Sequence, residues 1–163
     1  MYYRIMVPLD GSELAECVLP HLEKFIASGQ VNTVAFVRVI EPAPTRFDDT
    51  AALSNTSRDQ LIESTRIIEE NRKSRATAYL ENVARRLNFG GVETKIEVIF
   101  GRVADSLADY TEANDVNLII IATHGRSGIS RWVRGSIADR VLRFSRVPVL
   151  MVQAGHATGQ TKV

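Results

Sequence analysis

The chain has 163 residues, 45% of them hydrophobic and 24% charged, with a formal net charge of +1. That length suits one globular domain, which buries about two thirds of its unfolded surface and needs neither metals nor disulfides to hold together. A lone cysteine, Cys17, excludes an internal disulfide and suits a reducing compartment, and the near-neutral charge gives no global signal for nucleic acid or membrane.

The chain opens on a strand-like run, Tyr2 to Val7, with no basic region and apolar stretch ahead of a cleavage site. No apolar run approaches the roughly 20 residues that span a bilayer. A cytoplasmic protein with no membrane or nucleic-acid partner is therefore expected. Five apolar runs read as strands: Tyr3–Pro8, Thr33–Ile40, Glu93–Phe100, Asn117–Thr123 and Val147–Val152. Ile119–Ile121 and Val149–Val152 are continuously apolar, as in strands buried on both faces.

Helical stripes lie between the strands. Leu14, Val18, Leu22 and Phe25 form the first, and Cys17 falls within it as a core filler. Tyr79, Leu80, Val83, Ala84 and Leu87 close a long helix starting near Arg58. Val103, Leu107 and Tyr110 form a third stripe, and Ile137, Val141 and Leu142 a fourth. Strand and helix alternate throughout, which means βαβ units. Right-handed crossovers then predict an α/β, Rossmann-like fold with a five-stranded parallel sheet in the order 3-2-1-4-5. Residues 1–153 are read as one domain and 154–163 as a disordered tail. The irregular stretch Glu41–Ser57 falls after the second strand, at the ligand-binding edge of such a sheet.

In an open parallel sheet, ligands bind beyond the carboxyl ends of the strands where the order reverses, here between strands one and four. Pro8-Leu9-Asp10-Gly11-Ser12 and Ala122-Thr123-His124-Gly125-Arg126-Ser127-Gly128 leave those strands and form the walls of one crevice. Gly135-Ser136 then opens the last helix. Glycine permits close approach of the backbone to an oxyanion, and helix N-termini bind phosphate; the same residues equally make a tight turn and a helix cap. Asp10 either orients a ribose hydroxyl or a water-bound Mg²⁺, or braces its turn. Ser12 either faces the ligand or caps the first helix. Sixteen of the 20 basic residues are arginine, and six lie between Arg126 and Arg146, where only Asp139 opposes them. They suit a polyanion or a solvated helix face.

The stretches MVPLDGSELAE, FVRVIEP and IIIATHGRSGISRWVRGSIADRVLRFSRVPVLMV resemble the universal stress protein family, with a likeness running from Tyr3 to Val152. Its ATP-binding members carry Gly, two residues, Gly, nine residues, then Gly followed by Ser or Thr. Here the pattern falls on Ala122, Gly125, Gly135 and Ser136, with alanine replacing the first glycine. The resemblance implies that Pro8, Leu9, Asp10 and Val39 surround adenine and ribose. It implies that Gly125, Arg126, Gly135, Ser136 and Ile137 hold the phosphates, with His124 and Gly101 nearby. It also implies a homodimer, which the apolar edge strand Val147–Val152 would serve by pairing with its own copy.

No catalytic constellation is apparent. None of the four lysines lies in a glycine loop, and His21 and His156 have no partner at metal-ligand spacing. Asp10, His124 and Ser127 are not placed in register as a triad. The expected function is an ATP-binding stress regulator or sensor. A slow ATPase or autophosphorylating protein, or a member that binds no nucleotide and acts through protein partners, remain the alternatives.

Overall fold

The computed structural model of the chain describes residues 3–42, 55–87, 89–123 and 137–153. Five strands, β1 (Arg4–Pro8), β2 (Thr33–Ile40), β3 (Glu93–Phe100), β4 (Leu118–Thr123) and β5 (Val149–Gln153), form one sheet in the order β3-β2-β1-β4-β5. Every pairing is parallel. The expected fold is the observed one.

A 3₁₀ turn at Ala15–Val18 runs directly into α1 (Leu19–Ala27), with Pro20 in its first turn, where a missing N–H costs nothing. Helices α2 (Asn55–Arg85), α3 (Val103–Ala113) and α4 (Ile137–Phe144) complete the set. Strand alternation sorts the core into two layers. Ile5, Val7, Val34, Phe36 and Ile120 meet Val18 and Leu22 on one face, together with Leu80 and Val83 of α2. Met6, Ala35, Val37, Ile119 and Ile121 meet Leu107 of α3 and Ala138 and Val141 of α4 on the other. Cys17 is half-buried against the first layer, and burial pushes its thiol pKa up, which suits a filler rather than a nucleophile.

Some expected details differ. In α4, Ala138 and Val141 are the buried pair, while Ile137 and Leu142 are 45% and 43% exposed. The three-residue step from 138 to 141 sets the packed face, and alanine, though weakly hydrophobic, lets the helix approach the sheet. The last strand begins at Val149 rather than Val147 because the Ser145 hydroxyl takes up Val147: it accepts from Val147 N at 3.2 Å and donates to Val147 O at 3.0 Å. This strand is apolar but not buried on both faces, since Met151 is 42% exposed at the sheet edge. Helix α2 starts at Asn55, three residues before the expected start. Its second half packs through Ala76, Leu80 and Val83, while Leu61, Ile62, Ile67 and Ile68 in its first half are exposed. Among the described residues no helix is long and apolar enough to cross a membrane. The tail after 153 and most of the stretch after Glu41 lie outside the described residues.

Candidate functional site

The crevice opens because β1 stops pairing with both neighbours, with β4 after Met6 and with β2 after Pro8. Leu9 N donates to Val37 O at 2.9 Å, the last rung between β1 and β2. Backbone groups alternate sides along a strand, so the nitrogen of Pro8 faces β4, and proline has no hydrogen to donate there. Pairing between β1 and β4 accordingly covers only Ile5–Leu118 and Met6–Ile119. The chain then turns through Gly11, whose φ of 88° favours glycine.

Beyond this point lies a cavity of about 390 Å³, within the range of small-molecule sites. Pro8, Leu9 and Asp10 form one wall and Ala122 and Thr123 the opposite one. Val37 and Val39 line the β2 side, Val103 and Leu107 come from α3, and Ile137 and Ala138 come from the start of α4. The lining is mostly aliphatic. Its polar contributions come from backbone as well as side chain. Val37 O faces β1, so two residues on, the N–H and C=O of Val39 face the same way, where β1 has already ended. A donor and an acceptor from one residue are thus presented side by side at the cavity wall.

Six of the expected site residues, Pro8, Leu9, Asp10, Val39, Ala122 and Ile137, come together around this cavity. Asp10 also braces its turn: Oδ1 accepts from Ser12 N at 2.9 Å and from Ser12 Oγ at 2.6 Å. Ser12 Oγ in turn accepts from Ala15 N at 3.1 Å, which ties down the start of the 3₁₀ turn. The Ser12 hydroxyl is therefore used locally, and Ser12 is not part of the cavity lining. Gly101 is not part of the lining either. It ends β3 by donating its N–H to Ile40 O at 3.1 Å, and a Cβ there would collide with Ser106 Oγ. His124, Gly125, Arg126, Gly135 and Ser136 lie outside the described residues. Ala122 packs its methyl against the α1-side core, and the cavity keeps its volume with that methyl in place.

Leu14, Val37, Val103 and Leu107 are among the lining residues that lie outside the expected site set. In the sequence Leu14 falls in a core stripe, and Val103 and Leu107 fall in the apolar stripe of the third helix. The available signal was position: Val103 follows the third strand at the same sheet edge as Asp10. Among the described residues, no group of three or more His, Cys, Asp or Glu converges as a metal site.

The geometry is that of a doubly wound domain with an apolar crevice at its switch point. The universal stress protein family model matches residues 1–153. The chain belongs to that family. Universal stress protein MJ0577 of Methanocaldococcus jannaschii is 26% identical over 160 residues, covering 94% of this chain and 96% of that protein. The solved structure of MJ0577 gives a TM-score of 0.71 at 23% identity and covers 96% of this chain and 99% of that one. A universal stress protein solved in complex with cAMP gives 0.59 at 16% identity, covering 94% of this chain and 98% of its own. A family protein from Arabidopsis thaliana solved with AMP bound gives 0.59 at 12% identity, covering 94% and 92%. The universal stress protein fold is thus common to chains of very different sequence, and the cAMP and AMP belong to those two structures.

Proposed function

We propose that this universal stress protein binds an adenine nucleotide, with ATP as the physiological ligand, and acts as a cytoplasmic stress regulator or sensor. The observation that carries the reading is the open backbone pair of Val39 beside an aliphatic cavity. The Watson–Crick edge of adenine offers one donor, N6–H, and one acceptor, N1, which complement a C=O and an N–H from a single residue. Leu9, Val37 and Val39 supply apolar surface for the base. Asp10, at the rim, lies where it would accept from a ribose hydroxyl.

The phosphates would extend toward the N-terminus of α4, where Gly125, Arg126, Gly135 and Ser136 fall by the family pattern, with His124 and Gly101 nearby. A Mg²⁺ ion would arrive with the nucleotide, held mainly by its phosphates and reached by Asp10 through water. The likeness to structures with bound cAMP and AMP supports the nucleotide class. The exposed edge of β5 supports a homodimer formed by antiparallel pairing of that strand with its copy.

The test is calorimetric titration of the purified chain with ATP, ADP, AMP, cAMP and GTP, with mass spectrometry of any ligand released on denaturation. Adenine nucleotides are expected to bind at least about tenfold more tightly than GTP, because guanine reverses the donor and acceptor at this edge. Equal binding of ATP and GTP, or binding of neither, overturns the reading. Phosphate release during prolonged incubation with ATP and Mg²⁺ would add slow hydrolysis to it.

A further inference from the structure

A second concavity adjoins the first across the end of β2. It measures about 660 Å³ and shares Asp10, Val39, Val103 and Ile137 with the aliphatic cavity. Its character differs because neighbouring residues on a strand point to opposite faces. Val39 belongs to the α3 and α4 layer, so Arg38 points to the α2 side, where Arg72 and Arg75 approach from the helix. Arg72, Arg75, Ala76 and Tyr79 recur at spacings of three and four and share one face of α2.

Arg38 is held in place before any ligand arrives. Its guanidinium carbon lies 5.6 Å from the centre of the Tyr79 ring. It also lies close to Gly11, where an added Cβ would stand 3.0–3.3 Å from its Nη1, Cζ and Nη2 atoms. Tyr79 is itself anchored, donating its hydroxyl to Glu16 Oε1 at 3.0 Å. Yet the N–H groups of Arg38 and Arg75 meet no acceptor among the described residues. Among the described residues Arg72 makes one bond, to the backbone oxygen of Glu41 at 3.1 Å, and no ion pair. Asp10 and Glu41 also line the cleft, so three arginines face two carboxylates. Asp10 Oδ1 is engaged by Ser12. A half-buried, pre-stacked guanidinium without an acceptor is not an ordinary solvated surface charge. Its planar fork matches phosphate oxygens.

We propose that the cleft formed by Arg38, Arg72 and Arg75 is a second phosphate-binding site, distinct from the one assigned to the start of α4. Its occupant is a phosphate or pyrophosphate group, either free or carried as an additional phosphate on the bound nucleotide.

The probe is inorganic pyrophosphate, titrated into the full chain and into the Arg75→Gln and Arg38→Gln/Arg75→Gln variants. The double variant is expected to lose at least about tenfold in affinity, or one of two equivalents bound, as two charge-assisted contacts disappear. Arg75 is exposed, so Arg75→Gln keeps the fold and reads the effect if the double variant fails to fold. No pyrophosphate binding, or identical binding in all three proteins, overturns the proposal. Adenosine 3′,5′-bisphosphate compared with AMP separates the two sources. A gain that the double variant abolishes assigns the phosphate to the nucleotide, and pyrophosphate binding without such a gain assigns it to a separate ligand. Adenosine, which has no phosphate, tests the adenine reading alone. If adenosine fails to bind while pyrophosphate still responds to the arginines, the nucleotide reading falls and the cleft stands.

Discussion

The two ends of the sheet treat backbone polarity in opposite ways. At the amino ends, Arg4 N donates to Asn117 Oδ1 at 3.0 Å, Asn117 N donates to Arg4 O at 2.9 Å, and Arg4 Nη1 reaches Asn114 O and Asp115 Oδ2. Asn32 and Thr33 both donate to Tyr3 O, and Glu93 N donates to Asn32 O, so β1, β2, β3 and the start of β4 are stitched together. At the carboxyl ends, β1 stops after Pro8 and leaves the Val39 backbone and the Arg38 guanidinium without hydrogen-bond partners among the described residues. A buried polar group is normally paired. A fold that pairs nearly everything at one end and leaves adjacent donors and acceptors open at the other has separated stability from recognition.

The contrast can be broken within β2 itself. Val37 is buried and pairs with Pro8 of β1, so its N–H belongs to the ladder. Val37→Pro should cost about 3 kcal/mol or more, read as a fall in the urea midpoint. Two residues on, Val39 points its N–H at the cavity instead. Val39→Pro should change stability by less than about 1 kcal/mol but weaken AMP at least tenfold, about 1.4 kcal/mol, by calorimetry. Equal loss of stability in the two variants would mean that Val39 N–H is structural. At the closed end, Asn117→Ala should cost about 1 kcal/mol in stability and leave AMP affinity unchanged. The smallest effect falls at the first position of the glycine pattern. Ala122→Gly should tighten ATP by about twofold to threefold while lowering stability by about 0.5–1 kcal/mol, since glycine weakens a strand interior. A large gain in affinity there would show that the methyl obstructs the ribose.

Much of this was legible from residue patterns. Thr33–Ile40 and Glu93–Phe100 have the strand bounds read from their apolar runs, because turn-forming residues flank both. Pro8, Leu9, Asp10 and Val39 reach one cavity as the switch-point argument and the family likeness implied. Boundaries slipped where a side chain competes with the backbone, as Ser145 does before β5. Arg38, Arg72 and Arg75 escaped notice for a different reason. The six arginines after residue 125 cluster along the chain, whereas Arg38 lies 34 or more residues from Arg72 and Arg75 and becomes their neighbour only when α2 folds back beside β2. Ser12 shows the converse, a residue on a promising loop whose hydroxyl is used locally.

The eight consecutive pairs between β2 and β3, from Thr33–Glu93 to Ile40–Phe100, carry a further consequence. Because Arg38 and Val39 are adjacent, a slip of β2 by one position would put a cation against aliphatic carbon and a valine among guanidinium groups. The long zipper with β3 guards against that exchange. An insertion or deletion in the hairpin-free connection ahead of Thr33 should therefore be tolerated only when it leaves this alignment untouched.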